Sequence, residues 1–258
     1  MPVNTPAASP ASFEYLRDWR GVLVPLLLLL YFALFTSTLE PLLVSLTPVG
    51  APVIYVRDSF INLIGWHLFL VVLAITAASL IAIAAAILVS RAGGADFLPL
   101  ARSLANLGQT LPPVAVLALA VPAVGFGSWP TLIALFLYGL LPIFENTLAG
   151  LGQVRPEIKE AAKGLGMGPM QVLWRVELPL ALPVIVTGVR LSVIISIGTA
   201  TIGSTVAAKG LGEVIIAGLL TDNLSFVLQG GIIVALMAML FDALFQRLES
   251  RLLSAQNH

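Results

Sequence analysis

Charged residues are so sparse along this chain that the apolar stretches between them measure out its elements. Residues 21–39 form one charge-free run, preceded by Arg17 and Arg20. Residues 59–90 form a second, of which 64–89 is the spanning part. Residues 103–144 give 42 positions without a charge, too many for one helix. The cluster Gly125-Phe126-Gly127-Ser128-Trp129-Pro130 divides that run in two, because glycine and proline together favour a turn. A fifth span lies near 180–207 and a sixth near 223–244. About 20 apolar residues cross a hydrocarbon core of about 30 Å. The pattern therefore predicts about six transmembrane helices, the first being the most detachable.

Composition agrees. Of 258 residues 59% are hydrophobic and 10% charged, and the mean hydropathy is +1.02. A soluble domain carries roughly 25% charged residues to face water. The absence of cysteine excludes disulfide scaffolds, zinc ribbons, iron–sulfur clusters and thiol catalysis. A net charge of +0 argues against an electrostatic nucleic-acid binder, and His67 and His258 are too few for a multi-histidine metal site.

Lysine and arginine placement sets the expected orientation. With the N-terminus in the cytoplasm, the inner segments hold Arg17, Arg20, Arg91, Arg102, Arg155, Lys159, Lys163, Arg175, Arg247 and Arg251, and the outer loops only Arg57 and Lys209. Both termini are expected on the cytoplasmic side. The first twelve residues, rich in Pro, Ala and Ser, read as a disordered lead and not as a secretory signal, since the run that follows is long enough to span.

The longest polar segment, residues 152–179, falls in an inner loop. Its punctuation describes two short helices. Pro156 suits a first helical position and Glu157 the positive end of the helix dipole. Ile158, Ala161, Ala162 and Leu165 recur at i, i+3, i+4, i+7, one narrow apolar stripe. Gly164, Gly166 and Gly168 allow a turn; Pro169 opens a second helix with Met170, Leu173 and Trp174 expected on one face, and Pro179 ends it. Such a hairpin suits docking of a soluble partner, the bland alternative being a helix lying on lipid headgroups.

These residues resemble a family signature. Glu160-Ala161-Ala162, three residues, Gly166, nine residues, then Val176-Glu177-Leu178-Pro179 is similar to the EAA loop of ABC-importer permeases, with Val176 where that family usually has isoleucine. Further stretches, Gln109-Thr110-Leu111-Pro112-Pro113, Leu137-Tyr138-Gly139-Leu140-Leu141-Pro142-Ile143, Trp174-Arg175-Val176-Glu177-Leu178-Pro179-Leu180 and Ile197-Gly198-Thr199-Ala200-Thr201-Ile202, resemble the osmoprotectant permeases, importers of glycine betaine, choline and related quaternary amines. Glu145 and Lys209 depart from that pattern, where a basic and a small residue are usual.

The resemblance implies an all-α, multi-pass inner-membrane protein with a type I ABC importer (MetI-like) permease core. It divides the chain into a cytoplasmic lead (residues 1–20), a first transmembrane helix with a periplasmic loop (21–58), a permease domain (59–248) containing the coupling loop (152–179), and a cytoplasmic tail (249–258). It assigns ATPase coupling to Ile158, Glu160, Ala161, Ala162, Leu165, Gly166, Val176, Leu178 and Pro179. No G-x-x-x-x-G-K-[ST] phosphate loop occurs in the chain. The chain is thus expected to be non-catalytic and to carry no cofactor, with ATP and magnesium on a partner ATPase dimer. The other implied partners are a second permease (a distinct chain or a copy), a periplasmic solute-binding protein and the bilayer; no nucleic acid is expected.

The translocation path is expected along Gln109, Thr110 and Pro112, a polar, helix-breaking patch, along Thr199, Thr201 and Ser204, where small residues also suit helix packing, and at Arg190. Arg190 lies about 16 Å beyond Pro179 at about 1.5 Å per residue, so it must pair, snorkel or face water. Snorkelling to the cytoplasmic side or pairing with Glu145 or Asp242 is the plainer account, and a direct gating role the alternative. His67, beside Trp66, reads as an interfacial residue, and Trp129 suits an outer aromatic belt. No tight aromatic cluster stands in any span to cage a quaternary amine. Alternative functions are an ABC permease for another small polar solute, such as an amino acid, and an ion-coupled secondary transporter. The latter usually needs carboxylates at mid-depth, whereas Glu145 and Asp242 fall near span ends.

Overall fold

The structure, a computed structural model, describes residues 11–256, with side-chain surroundings for residues 19–254. Residues 1–10 of the expected lead, and His258 in the expected tail, lie outside the described residues. In chain order the main helices are α1 (Ala11–Leu34), α2 (Phe60–Val89), α3 (Leu98–Thr110), α4 (Pro113–Val124), α5 (Ser128–Gln153), α6 (Pro156–Gly164), α7 (Leu178–Thr199), α8 (Gly212–Leu220) and α9 (Leu224–Gln256). No strand occurs among the described residues.

Two of the expected spans are broken. Helix α1 starts ahead of residue 21, takes in Arg17 and Arg20, and stops at Leu34; the helical turns Thr36–Leu46 then leave at 87° to it. The third expected span is two helices, with Ala95–Thr110 and Pro113–Val124 crossing at 99°. The cause is local. A residue before proline is driven from helical to extended backbone, and Leu111, before Pro112, has φ −92° and ψ 134°. Pro112 and Pro113 also offer no N–H to continue the helix. Among the described residues four helical stretches are long and apolar enough to cross a membrane, and the count reaches the expected six only when each bent pair is one span. The divide at residues 125–130 falls as expected, between Val124 and Ser128.

Helices α2, α5, α7 and α9 form the core, with Leu63, Leu70, Leu135, Ile143, Phe144, Ile197, Ile233 and Met237 sealed from solvent. In lipid, close backbone approach replaces the hydrophobic drive, which favours small residues at helix contacts. A Cβ on Gly108 would stand 2.1 Å from the Leu137 carbonyl oxygen, and one on Gly188 2.7 Å from that of Pro142. Across the same interface the Ser192 hydroxyl donates to the Gly139 carbonyl at 3.0 Å. Helix α1 packs along α9, where Arg247 lies 3.5 Å over the Trp19 ring.

Candidate functional site

The segment 152–179 folds as two helical turns joined by glycines, then runs into α7. Helix α6 begins at Pro156 and closes with Gly166 N–H donating to Lys163 and Met167 N–H reaching back to Ala162 at 3.2 Å. That last bond spans five residues and needs a left-handed residue inside it; Gly166 supplies φ +82°. The turn Pro169–Val172 starts with Gly168 N–H donating to the Gln171 side chain at 3.0 Å. A π-turn, Leu173–Glu177, follows. Its origin is Pro179, which has no N–H for the carbonyl four residues back; the chain widens instead, and Leu178 N–H donates to the Leu173 carbonyl.

The apolar stripe does not present one outward face. Ala162 is buried, Ile158 is half-buried, Ala161 and Glu160 are exposed, and Leu165 is 80% exposed. The 3.6-residue period put these four side by side, but the helix is short and leans on the protein with one edge. The second expected face divides likewise: Leu173 turns in against Leu151, Ala181 and Ile185, while Met170 and Trp174 project outward, each 64% exposed. Val176 and Leu178 are half-buried and Pro179 is exposed. Leu165, Met170 and Trp174 are thus large apolar groups displayed on an otherwise polar loop.

Sequence reasoning passed over the hub of this loop. Glu177 is 3% exposed. Its Oε2 meets Arg91 Nη2 at 2.5 Å and its Oε1 meets Lys159 Nζ at 3.1 Å. One buried carboxylate therefore joins the end of α2, helix α6 and the start of α7. The available signal was an acid inside an apolar stretch, since a buried charge demands paired partners. Which cations would reach it was not legible, because Arg91 is 86 positions away, by subtraction of the two residue numbers.

The residues expected along the path fall into two groups. Gln109, Thr110 and Pro112 lie exposed at the α3–α4 break, with Gln109 Nε2 donating to the Tyr138 carbonyl at 3.4 Å and the Tyr138 hydroxyl donating to the Leu111 carbonyl. After Thr199 the helix tightens into a 3₁₀ stretch, Ala200–Val206. There the Thr201 hydroxyl donates to the Gly198 carbonyl at 2.7 Å, and that of Ser204 to the Ala208 carbonyl at 3.0 Å. Helix α4 and this stretch share a small core made by Val116, Leu117, Ala134 and Val206. Arg190 belongs to neither group. Its Nε donates to Asp242 Oδ1 at 2.7 Å and its Nη1 to Glu249 Oε2 at 3.1 Å, which ties α7 to α9. Of the two acids expected for it, Asp242 is the partner, whereas Glu145 takes Arg102 at 2.5 Å. His67 is not interfacial. It is 1% exposed and its Nε2 lies 2.9 Å from the Ile197 carbonyl oxygen, so that nitrogen carries the proton.

At the opposite end, Tyr55, Arg57, Asp58, Ser204, Lys209 and Glu213 line a cavity of about 380 Å³. Lys209 Nζ meets Asp58 Oδ2 at 2.8 Å. Hydrogen bonds from Asn62, then from Lys209, hold the Asp58 carboxyl down to about 2, and Asp58 in turn raises the Lys209 ammonium above its ordinary value. Tyr55, Phe60 and Phe226 come together here, with the Tyr55 and Phe226 rings 5.5 Å apart, an aromatic cluster that no single span revealed. All three are buried, which makes it packing and not an open cage. Among the described residues no group of three or more histidine or acidic side chains is placed to hold a metal ion.

Comparison with known proteins agrees with this architecture. The profile of the family described as "Binding-protein-dependent transport system inner membrane component" matches residues 78–254. The chain is 41% identical over 178 residues to the osmoprotectant import permease protein OsmY of Salmonella typhimurium, covering 69% of this chain and 75% of that one. It is 40% identical over 150 residues to the choline transport system permease protein OpuBB of Bacillus subtilis, covering 58% and 69%. Among solved structures, an inward-facing form of the MetNI methionine ABC transporter superposes with a TM-score of 0.67 at 19% identity, over 74% of this chain and 95% of that one. With its all-helical bundle and a match over more than half its length, the chain belongs to the family of inner-membrane components of binding-protein-dependent transport systems.

Proposed function

We propose that this inner-membrane permease forms half of the translocation path of an ATP-driven importer for a small quaternary-amine osmoprotectant of the glycine betaine or choline class. The observation that carries the solute class is the 41% identity, over three quarters of its length, to a relative named an osmoprotectant import permease. A periplasmic binding protein delivers the solute, and a second permease, a copy or a distinct chain, completes the path. Both termini face the cytoplasm, as the basic residues favour.

On this reading the loop 152–179 docks on the ATPase dimer, which holds the ATP and magnesium. Leu165 and the exposed edge of α6, with Ala161 and Glu160, make the contact, beside Met170 and Trp174. Ile158 and Ala162 brace the helix from behind, Gly166 makes the turn, and Val176, Leu178 and Pro179 lead the loop into α7. This reading is supported by large apolar groups exposed where water would otherwise select polar ones. Gln109, Thr110, Pro112, Thr199, Thr201 and Ser204 line the path; irregular backbone at membrane depth is tolerated where it faces protein or a water-filled cavity.

The test is tagged purification followed by reconstitution with the co-purifying chains and the binding protein. Recovery of an ATPase, with ATP-dependent uptake of labelled glycine betaine or choline that excess amino acid does not compete away, is the expected result. Uptake by this chain alone without ATP overturns the proposal in favour of ion coupling. Replacing Ala161 with Trp should weaken retention of the ATPase, because the small residue leaves room for a facing surface. Undiminished retention would count against the assigned contact.

A further inference from the structure

We infer that Glu177 is the positioning residue that transmits displacement of α6 into α2 and α7, through two separate ionic arms. This rests on the reading of 152–179 as the ATPase-coupling loop. Packing alone attaches α6 weakly, since Ala162 is its one buried residue among those described. A short helix held by one small buried side chain and the half-buried Ile158 can shift over its neighbours with little resistance. Its firm attachment is Lys159. That ammonium meets Glu177 Oε1 at 3.1 Å and the Leu151 carbonyl, near the end of α5, at 3.4 Å. The other carboxylate oxygen takes Arg91, just beyond the end of α2.

Both contacts are ion pairs, and the carboxylate they share is almost wholly withdrawn from water. An isolated charge there is costly, so Glu177 follows its cations. Glu177 also ends the π-turn and leads directly into α7. A push on α6 therefore reaches α2 through Arg91 and α7 through the Glu177 backbone. The exposed Glu160, one position after Lys159, faces outward and takes no part in this inner link.

The deciding variant is Lys159→Met, which cuts the α6 arm and leaves the Arg91–Glu177 pair in place. It is compared with Arg91→Met, which cuts the other arm, and with Lys159→Arg, which keeps the charge. Each is purified by a tag on this chain, assayed for bound ATPase and ATP hydrolysis, then reconstituted for glycine betaine or choline uptake. The expected result for both methionine variants is retained ATPase, continuing hydrolysis and uptake per ATP reduced roughly 5- to 150-fold, the range of coupling between linked sites; Lys159→Arg restores it. A ratio within about twofold of the original chain, well inside that range, overturns the inference, as does loss of the ATPase from Lys159→Met, which would make Lys159 a docking residue. Failure of the unaltered chain to retain any ATPase is a separate outcome that overturns the coupling reading itself.

Discussion

The two ends of this bundle are held together by different chemistry. At the loop end the ties are ionic and reach between distant helices: Arg91 and Lys159 on Glu177, Arg102 on Glu145, Arg190 on Asp242 and Glu249. At the opposite end the interior ties are neutral. Gln229 is 1% exposed; its Oε1 accepts from Tyr55 N–H at 3.1 Å, and its Nε2 donates to the Val53 carbonyl and the Ser225 hydroxyl, both at 2.8 Å. Asn223 and Ser225 donate to the Pro52 and Val53 carbonyls. Among the described residues the one ion pair there, Lys209–Asp58, sits at the rim. Neutral bonds pin an extended segment, 52–55, in one place. The ionic ties differ in exposure: Arg102 and Glu145 are 51% and 37% exposed, whereas the Glu177 side chain is 4% exposed. On the proposed coupling reading, the loop end is the one to be driven.

The largest way to break this contrast is at the turn. Gly166→Pro cannot adopt φ +82°, because proline is held near −65°. Uptake should be abolished while membrane insertion, checked by fractionation, persists. Normal uptake would sink the coupling role of the loop.

Next in size is Glu177→Gln, which leaves two cations without their buried counter-charge. Breaking a fully buried pair costs about 3–5 kcal/mol; Arg91 and Lys159 keep 38% and 31% exposure, so the loss here falls below that range. Thermal unfolding in detergent should show a large fall, greater than for either partner replaced alone. At the other end Gln229→Ala strands the Tyr55 N–H, while the Val53 carbonyl keeps the Ser225 hydroxyl. About 1–3 kcal/mol is expected for leaving such a group unsatisfied, and this loss should not change with salt. Strong salt dependence of the Gln229 effect would erase the distinction between the ends.

The smallest effect concerns Asp58. Its folded value, about 2, lies below the ordinary 3.8, so its hydrogen bonds from Asn62 and then Lys209 stabilise the fold above the ordinary value, a contribution lost as pH falls from near 3.8 towards 2. The stability difference between the chain and Asp58→Asn should be small and constant near neutral pH and close on acidification through that window. A difference that grew there would reverse the sign and refute the pairing.

Much of this was legible from the residues. The proline pair Pro112-Pro113 announced a break, and the 125–130 cluster a turn, because glycine and proline act on their own backbone. The spacing from Glu160 to Pro179 carried the family resemblance intact. What failed were statements about faces. Ala162 and Leu165 share a stripe by periodicity, yet one is buried and the other is not, since the neighbouring surface covers a single edge of α6. His67 looked interfacial beside Trp66, but its setting depends on a carbonyl 130 positions along the chain. Arg190 demanded a partner by its depth, and two acids were equally available to it until α9 was packed against α7.

The sequence by itself determined that this is an all-helical membrane chain, that it breaks at Pro112-Pro113 and divides at residues 125–130, and that its inner loop resembles the permease signature, because hydropathy and proline stereochemistry act locally along the backbone. Only the tertiary structure decided which charges meet. A buried carboxylate selects its cations by distance and by exclusion of water, and both arise when α2, α6 and α7 converge on Glu177.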